Sequence, residues 1–189
     1  MLSAADRLDP PPQRILVAGV SGSGKTTLAR RISAATGIPH TEIDSLRHGP
    51  NWMPRDDFAA DVERFTRADS WITEWQYREL RPLLAERADL LIWIDLPVAL
   101  TMSRVIRRTL RRRLRREVLW NGNVESPLLT FLTERDHIIR WAWRTRNSWR
   151  NHVAETAAAH PELRIMRLTH RRQVDALVTA TVRWRTPPR

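Results

Sequence analysis

Eight residues, Gly19-Val20-Ser21-Gly22-Ser23-Gly24-Lys25-Thr26, constrain this chain more than anything else in it. They fit G-x-x-x-x-G-K-[ST] without departure, and the surroundings are those the motif needs. The apolar run Arg14 to Ala18 reads as a buried strand entering the loop. Lys25 to Thr36 then carries Leu28, Ile32 and Ala35 at helical spacing until Gly37 and Pro39 stop it. Glycines let the backbone curl so that successive N–H groups aim at phosphate oxygens, and the positive end of the following helix adds to the attraction. Gly19, Ser21, Gly22, Ser23, Gly24, Lys25, Thr26 and Thr27 are therefore expected to bind a nucleoside triphosphate, ATP. Lys25 would reach the β- and γ-phosphates, and the Thr26 hydroxyl would coordinate Mg²⁺.

Two competing loops fail on particular residues. Asp44 lies twenty residues past Gly24, as a dinucleotide-binding loop would want, but Thr27 stands where its third glycine belongs. A guanine-specific N-K-x-D motif needs a second lysine, and Lys25 is the only one in the chain. At 189 residues the chain is also short for a helicase or motor core.

The rest alternates between strand and helix patterns. His40 to Ile43, Ser70 to Glu74, Leu90 to Ile94 and Arg164 to Leu168 read as strands. Pro54 opens a helix with Phe58, Val62 and Phe65 on one face, and Arg78 to Ala88 is a short helix. Pro97 opens a long helix with Ile106, Leu110, Leu114 and Val118 in a stripe, broken at Asn121-Gly122-Asn123. Leu128 to about Ala159 is helical in pattern, and Val174 to Trp184 is a last helix. This predicts a three-layer α/β phosphate-loop fold with a mostly parallel, five-stranded sheet. Residues 1–13 read as a flexible tail and 14–189 as one domain, with a helical, arginine-rich lid at about 107–150.

Composition enters by exclusion. The chain has no cysteine, which removes disulfides, Cys-ligated zinc, iron–sulfur clusters and thiol catalysis. The longest aliphatic or aromatic run, Leu90 to Ile94, is far short of a membrane span, and the N-terminus lacks a signal-peptide apolar region. A cytoplasmic protein without membrane partners is the expectation. The net charge of +11 is concentrated, because eight arginines and no acid lie between Arg104 and Arg116. A local basic patch implies a polyanionic ligand met at one place.

The remaining segments resemble the small nucleotide and metabolite kinases of the adenylate-kinase-like group. Asp95-Leu96-Pro97, followed by Arg104 and Arg108, is similar to that group's strand-D-x-P turn and the two arginines opening its mobile lid. Trp71 to Arg78 (WITEWQYR) stands where those kinases carry strand-acid-Gly-x-x-Arg. The resemblance implies that Glu74 holds Mg²⁺ through water and that Arg78 contacts the acceptor. It also implies that Asp44 to Arg47 form the acceptor-binding corner. Closer still is the similarity to the bacterial proteins named DNA topology modulation proteins. It is carried by GSGKTTLARR, EIDSLRHGPNW, DSWITEWQY, ADLLIWIDLP, SRVIRRTLRRRL and EVLWNGN, over about residues 14 to 150. Trp75 departs from the glycine common at its position.

A kinase reading gives these residues roles. Lys25 holds the triphosphate, while Arg104 and Arg108, one helical turn apart, stabilise the moving phosphoryl group. Asp44 orients or deprotonates the acceptor hydroxyl, as the matching acid looks to do in sugar and shikimate kinases. Asp95 suits a strand-to-helix turn. The alternative is an ATP-dependent nucleic-acid-binding protein, with the arginine run on phosphates and Trp120, Trp141, Trp143 and Trp149 stacking bases. Against the stacking, Phe131, Ile138, Trp141 and Trp149 fall near one helical face, the spacing of a core. A nucleotide-binding regulator without turnover is a third reading. The six histidines form no helical zinc-binding pair.

Overall fold

The computed structural model describes residues 1–3, 6, 8–115, 117, 118, 120–123 and 149–184. In chain order the elements are β1 (Arg14–Gly19), α1 (Lys25–Thr36), α2 (Ile43–Arg47), α3 (Phe58–Phe65), β2 (Trp71–Glu74) and α4 (Arg81–Arg87). They continue with β3 (Leu90–Ile94), α5 (Val98–Leu114), α6 (Trp149–Ala159), β4 (Arg164–Leu168) and α7 (Arg171–Thr181). The sheet order is β2-β1-β3-β4 and every pairing is parallel. Because successive strand residues face opposite ways, β1 feeds two cores. Ile15 and Val17 pack with Leu28 and Ile32 of α1 and Leu177 of α7. Leu16 and Ala18 pack with Phe58 of α3, Leu84 of α4 and Trp149 of α6. A sheet covered on both faces explains the uninterrupted apolar runs. Since β2 and β3 flank β1 on opposite sides, the crevice beyond the carboxyl end of β1 is the topological switch point where such folds bind ligands.

Among the described residues four strands form the sheet where five were expected. His40 alone of the segment His40 to Ile43 bridges to Ile72 on the outer edge of β2. Pairing stops there because Glu74 takes the Ile43 N–H at 3.1 Å, and the chain turns into α2. Helix boundaries shift as well. Pro54 bridges to His48, so α3 starts at Phe58, and α4 starts at Arg81 instead of Arg78. The opening residues join the body, with Leu2 bridging to Met166 of β4 and Leu8 buried in the core. Of the helix expected from Leu128, α6 is described; Phe131, Ile138, Trp141 and Trp143 lie outside the described residues, as do Arg116 and most of the expected lid. Among the described residues no helix is long and apolar enough to cross a membrane.

Candidate active site

The loop between β1 and α1 leaves the sheet through left-handed glycines, among them Gly22 (φ +77°) and Gly24 (φ +100°). Gly22 also permits a close approach. A Cβ there would stand 2.4 Å from the Thr101 carbonyl oxygen and 2.7 Å from Val105 Cγ2, both on α5. The arginine-bearing helix therefore seats directly on the loop. Arg104 Nη1 donates to the Ser23 carbonyl at 3.4 Å, and Arg108 Nη2 donates to Ser21 Oγ at 3.2 Å. The one-turn spacing places both guanidinium groups on the loop, as the sequence predicts. Thr27 stands exposed on the first turn of α1, beside Thr26.

Lys25 Nζ donates to the Gly19 and Val20 carbonyls at 2.9 and 3.3 Å. Desolvation pushes its pKa down to about 8, against the pull of Asp44 and Glu74, with Arg108 and Arg81 pushing further down.

Glu74, at the end of β2, is 1% exposed. Its carboxylate takes the Ile43 N–H, lies 3.2 Å from His40 Nε2 and accepts the Thr26 hydroxyl. Burial pushes the Glu74 pKa up, but the His40 hydrogen bond and charge, with those two donors, outweigh it and hold the group below the ordinary glutamate value. The two residues expected at the metal, Thr26 and Glu74, thus meet. Among the described residues, three or more His, Cys, Asp or Glu side chains nowhere gather as metal ligands.

Asp44 reaches the site from the first turn of α2. Its Oδ1 accepts Gln76 Nε2 at 2.8 Å and the Tyr77 hydroxyl at 2.7 Å. Tyr77 Oη is also 3.2 Å from His48 Nε2. With the tyrosine proton given to Asp44, His48 can only donate there. Burial first, then the Asp44 charge, pushes the Tyr77 pKa up, so the phenol stays protonated. Sequence reading missed Gln76, Tyr77, His40 and His48, because nothing in their spacing signals a shared hydrogen-bond chain.

The three expected acceptor residues separate. Arg47 lies over the rings of Phe58 and Tyr77, 5.2 and 5.6 Å from their centroids, and 3.7 Å from Glu79. Arg78 is exposed and makes no hydrogen bond or ion pair among the described residues. Three residues later Arg81, which the motif did not single out, opens α4 and exerts its charge on Lys25. Asp95 pairs with Arg167 of β4 at 2.5 Å. Trp120, a candidate base-stacker, instead packs against His48 and Trp52, with centroids 6.4 and 6.3 Å away. Asn123 clasps these segments by accepting the Trp52 N–H at 2.9 Å and donating to the Gly49 carbonyl at 2.8 Å.

No family model matches the chain, and no curated protein matches it. Solved structures do. A gluconokinase from Sinorhizobium meliloti is 21% identical, with a TM-score of 0.49 over 92% of this chain and 93% of its own. A sugar kinase from a Janibacter species is 20% identical, with a TM-score of 0.46 over 92% and 94%. Shikimate kinase from Acinetobacter baumannii, in complex with shikimate, is 15% identical, with a TM-score of 0.47 over 90% and 91%.

Proposed function

We propose that this protein is a kinase that binds ATP with Mg²⁺ and transfers the γ-phosphoryl group to a hydroxyl of a small acceptor. The observation that carries the reading is the division of labour between two carboxylates beside Lys25. Glu74 is buried and bonded to the Thr26 hydroxyl, whereas Asp44 is held through Oδ1 by Gln76 and Tyr77, and its Oδ2 accepts no hydrogen bond among the described residues. One serves a cation at the phosphates; the other presents an oriented, open oxygen to an acceptor.

Thr26 and Glu74 fit Mg²⁺, an ion that keeps several waters and takes few protein oxygens beside phosphate. Bound there, it supplies charge neutralisation on the β- and γ-phosphates. Lys25 exchanges its two carbonyl partners for phosphate oxygens. Asp44 Oδ2 accepts the hydroxyl proton as the acceptor oxygen bonds to the γ-phosphorus and the bond to the β-phosphate bridging oxygen breaks, leaving ADP. Arg104 and Arg108 exchange their contacts with Ser23 and Ser21 for the equatorial oxygens of the moving group. Such catalysis is positioning and electrostatics, so it depends on excluding water. The nucleic-acid alternative needs the arginine run free for backbone phosphates. Arg104 and Arg108 instead face the loop, and Arg111 and Arg112 lie 3.3 and 3.7 Å from Glu117.

The test is ADP release from ATP–Mg²⁺ with a panel of hydroxyl compounds (nucleosides, nucleoside monophosphates, sugars, sugar acids), run with and without DNA. Acceptor-stimulated release is expected, falling at least 100-fold in Asp44→Asn, the scale of a lost general base. Release stimulated by DNA and by none of the acceptors would overturn the reading.

A further inference from the structure

Trp75 occupies the position where the resembling kinases carry glycine, and the structure gives it a task. It directly follows Glu74, its N–H donates to the Val17 carbonyl at 2.9 Å, and its ring is 1% exposed. Its indole Nε1 donates to the Arg81 carbonyl at 3.2 Å, fixing the start of α4. The Arg81 guanidinium then lies over two indoles, 5.3 Å from the Trp75 centroid and 4.9 Å from that of Trp149. Those rings are 5.8 Å apart and inclined at 57°, so they grip the cation from two sides.

The Glu79 carboxylate acts on this cation without pairing with it. Arg81 forms no ion pair among the described residues, and its buried Nε has no hydrogen-bond partner. Half-burying an unpaired guanidinium is unfavourable, and two aromatic faces offset only part of that. Desolvation, then repulsion from Arg78, accordingly holds the Arg81 pKa below the ordinary arginine value. Arg81 opens α4 just beyond the carboxyl end of β2, which flanks β1 at the crevice, and its charge acts on Lys25. α5 brings its arginines to the loop from the β3 side, while α4 follows β2, on the opposite side of β1. Among the described residues Arg81 is the cation that lies over two indoles.

We propose that Arg81, clamped between Trp75 and Trp149, is a third arginine of the transfer site and binds the terminal phosphate of the nucleotide from the side opposite Arg104 and Arg108. The proposal rests on the kinase reading above. With tryptophan in place of glycine, the indole supports a guanidinium three residues after Arg78, the arginine expected at the acceptor. The missing anion arrives with the ligand, completing the hydrogen bonding of a cation already oriented for it.

The same oxyanion chemistry could come from an acceptor's own phosphate or carboxylate, so the experiment separates the sources. Binding of Mg²⁺–ADP, Mg²⁺–ATP and Mg²⁺–ADP with beryllium fluoride, which restores a terminal phosphate mimic, is measured by calorimetry without any acceptor. Arg81→Gln keeps the stem and a planar end but removes the charge. It is expected to bind ADP within about twofold of wild type and to lose about tenfold for both terminal-phosphate forms, the scale of one charge-assisted hydrogen bond. Trp75→Phe, which weakens one face of the clamp, is expected to lose selectivity in the same direction by a smaller factor. Wild-type selectivity for the terminal phosphate in Arg81→Gln overturns the proposal and leaves an acceptor's anion as the remaining source. Should Arg81→Gln fail to fold, Arg81→Met decides by the same two criteria. If wild type itself does not bind these nucleotides, the kinase reading falls first; if it binds them and Arg81→Gln matches it, only Arg81's role falls.

Discussion

Lys25 shows how one side chain is kept ready at modest cost. Its ammonium rests on two loop carbonyls and it belongs to neither buried apolar cluster, so its removal should spare the fold. Lys25→Ala is expected to lose ATP binding while its melting temperature stays within a few degrees of wild type, on the scale of a surface change. Near-normal ATP affinity in a calorimetric titration would contradict the site assignment. Backbone strain points to the same region. The non-glycine residues at positive φ among those described are Asn51, Trp52, Tyr77 and Asn121. Asparagine tolerates that conformation; tryptophan and tyrosine do so only when their surroundings over-determine it. Here they do: Trp52 is tied to Asn123, and Tyr77 to Asp44 and His48.

At the scale of elements, α5 and the phosphate loop behave as one unit. Gly22 lets the helix backbone approach, and Arg104 and Arg108 then span the gap to Ser23 and Ser21. A lid function depends on that pair and not on the number of charges along the helix. Replacing Arg104 or Arg108 by Ala should lower turnover by about 10³-fold, as removal of an arginine finger does. Arg111→Ala, whose guanidinium lies 3.3 Å from Glu117, should stay within about twofold because a half-exposed surface pair contributes little. Equal losses in all three variants, measured as ADP release, would mean that the helix acts through bulk charge. At its C-terminal side the Asn123 clasp fastens this segment to the corner bearing Asp44.

For the molecule as a whole, stability has an acid-sensitive lock remote from the chemistry. Asp89, just before β3, accepts the Gln13 and Arg14 N–H groups at 2.9 Å each and the Arg14 guanidinium at 2.7 Å. It thereby ties the starts of β1 and β3 together. Burial alone would raise its pKa, but the Arg14 hydrogen bond and the two N–H donors win and hold it below the ordinary 3.8. A depressed carboxyl stabilises the fold fully above its ordinary value, and that contribution drains away as pH falls through the folded one. Thermal melts between pH 7 and pH 2 should show a shallower acid loss for Asp89→Asn than for wild type, starting from a lower plateau. Parallel curves would exclude Asp89 as the titrating group.

How much of this was legible in the sequence follows from the range of the interactions. The phosphate loop, its strand and helix, the parallel α/β class and the Arg104–Arg108 pair all rest on residues a few positions apart. Local geometry and period are enough to place them. The missing fifth strand was not legible, because Ile43 abandons the sheet for a carboxylate 31 positions away. Nor could the motif choose Arg81 over Arg78, since Arg81 depends on Trp149, which reaches it from α6. The sequence thus determined a glycine loop, Gly19 to Thr26, between a strand and a helix. Only the tertiary structure decided which acids and cations surround it, because those contacts join segments that period and spacing cannot relate.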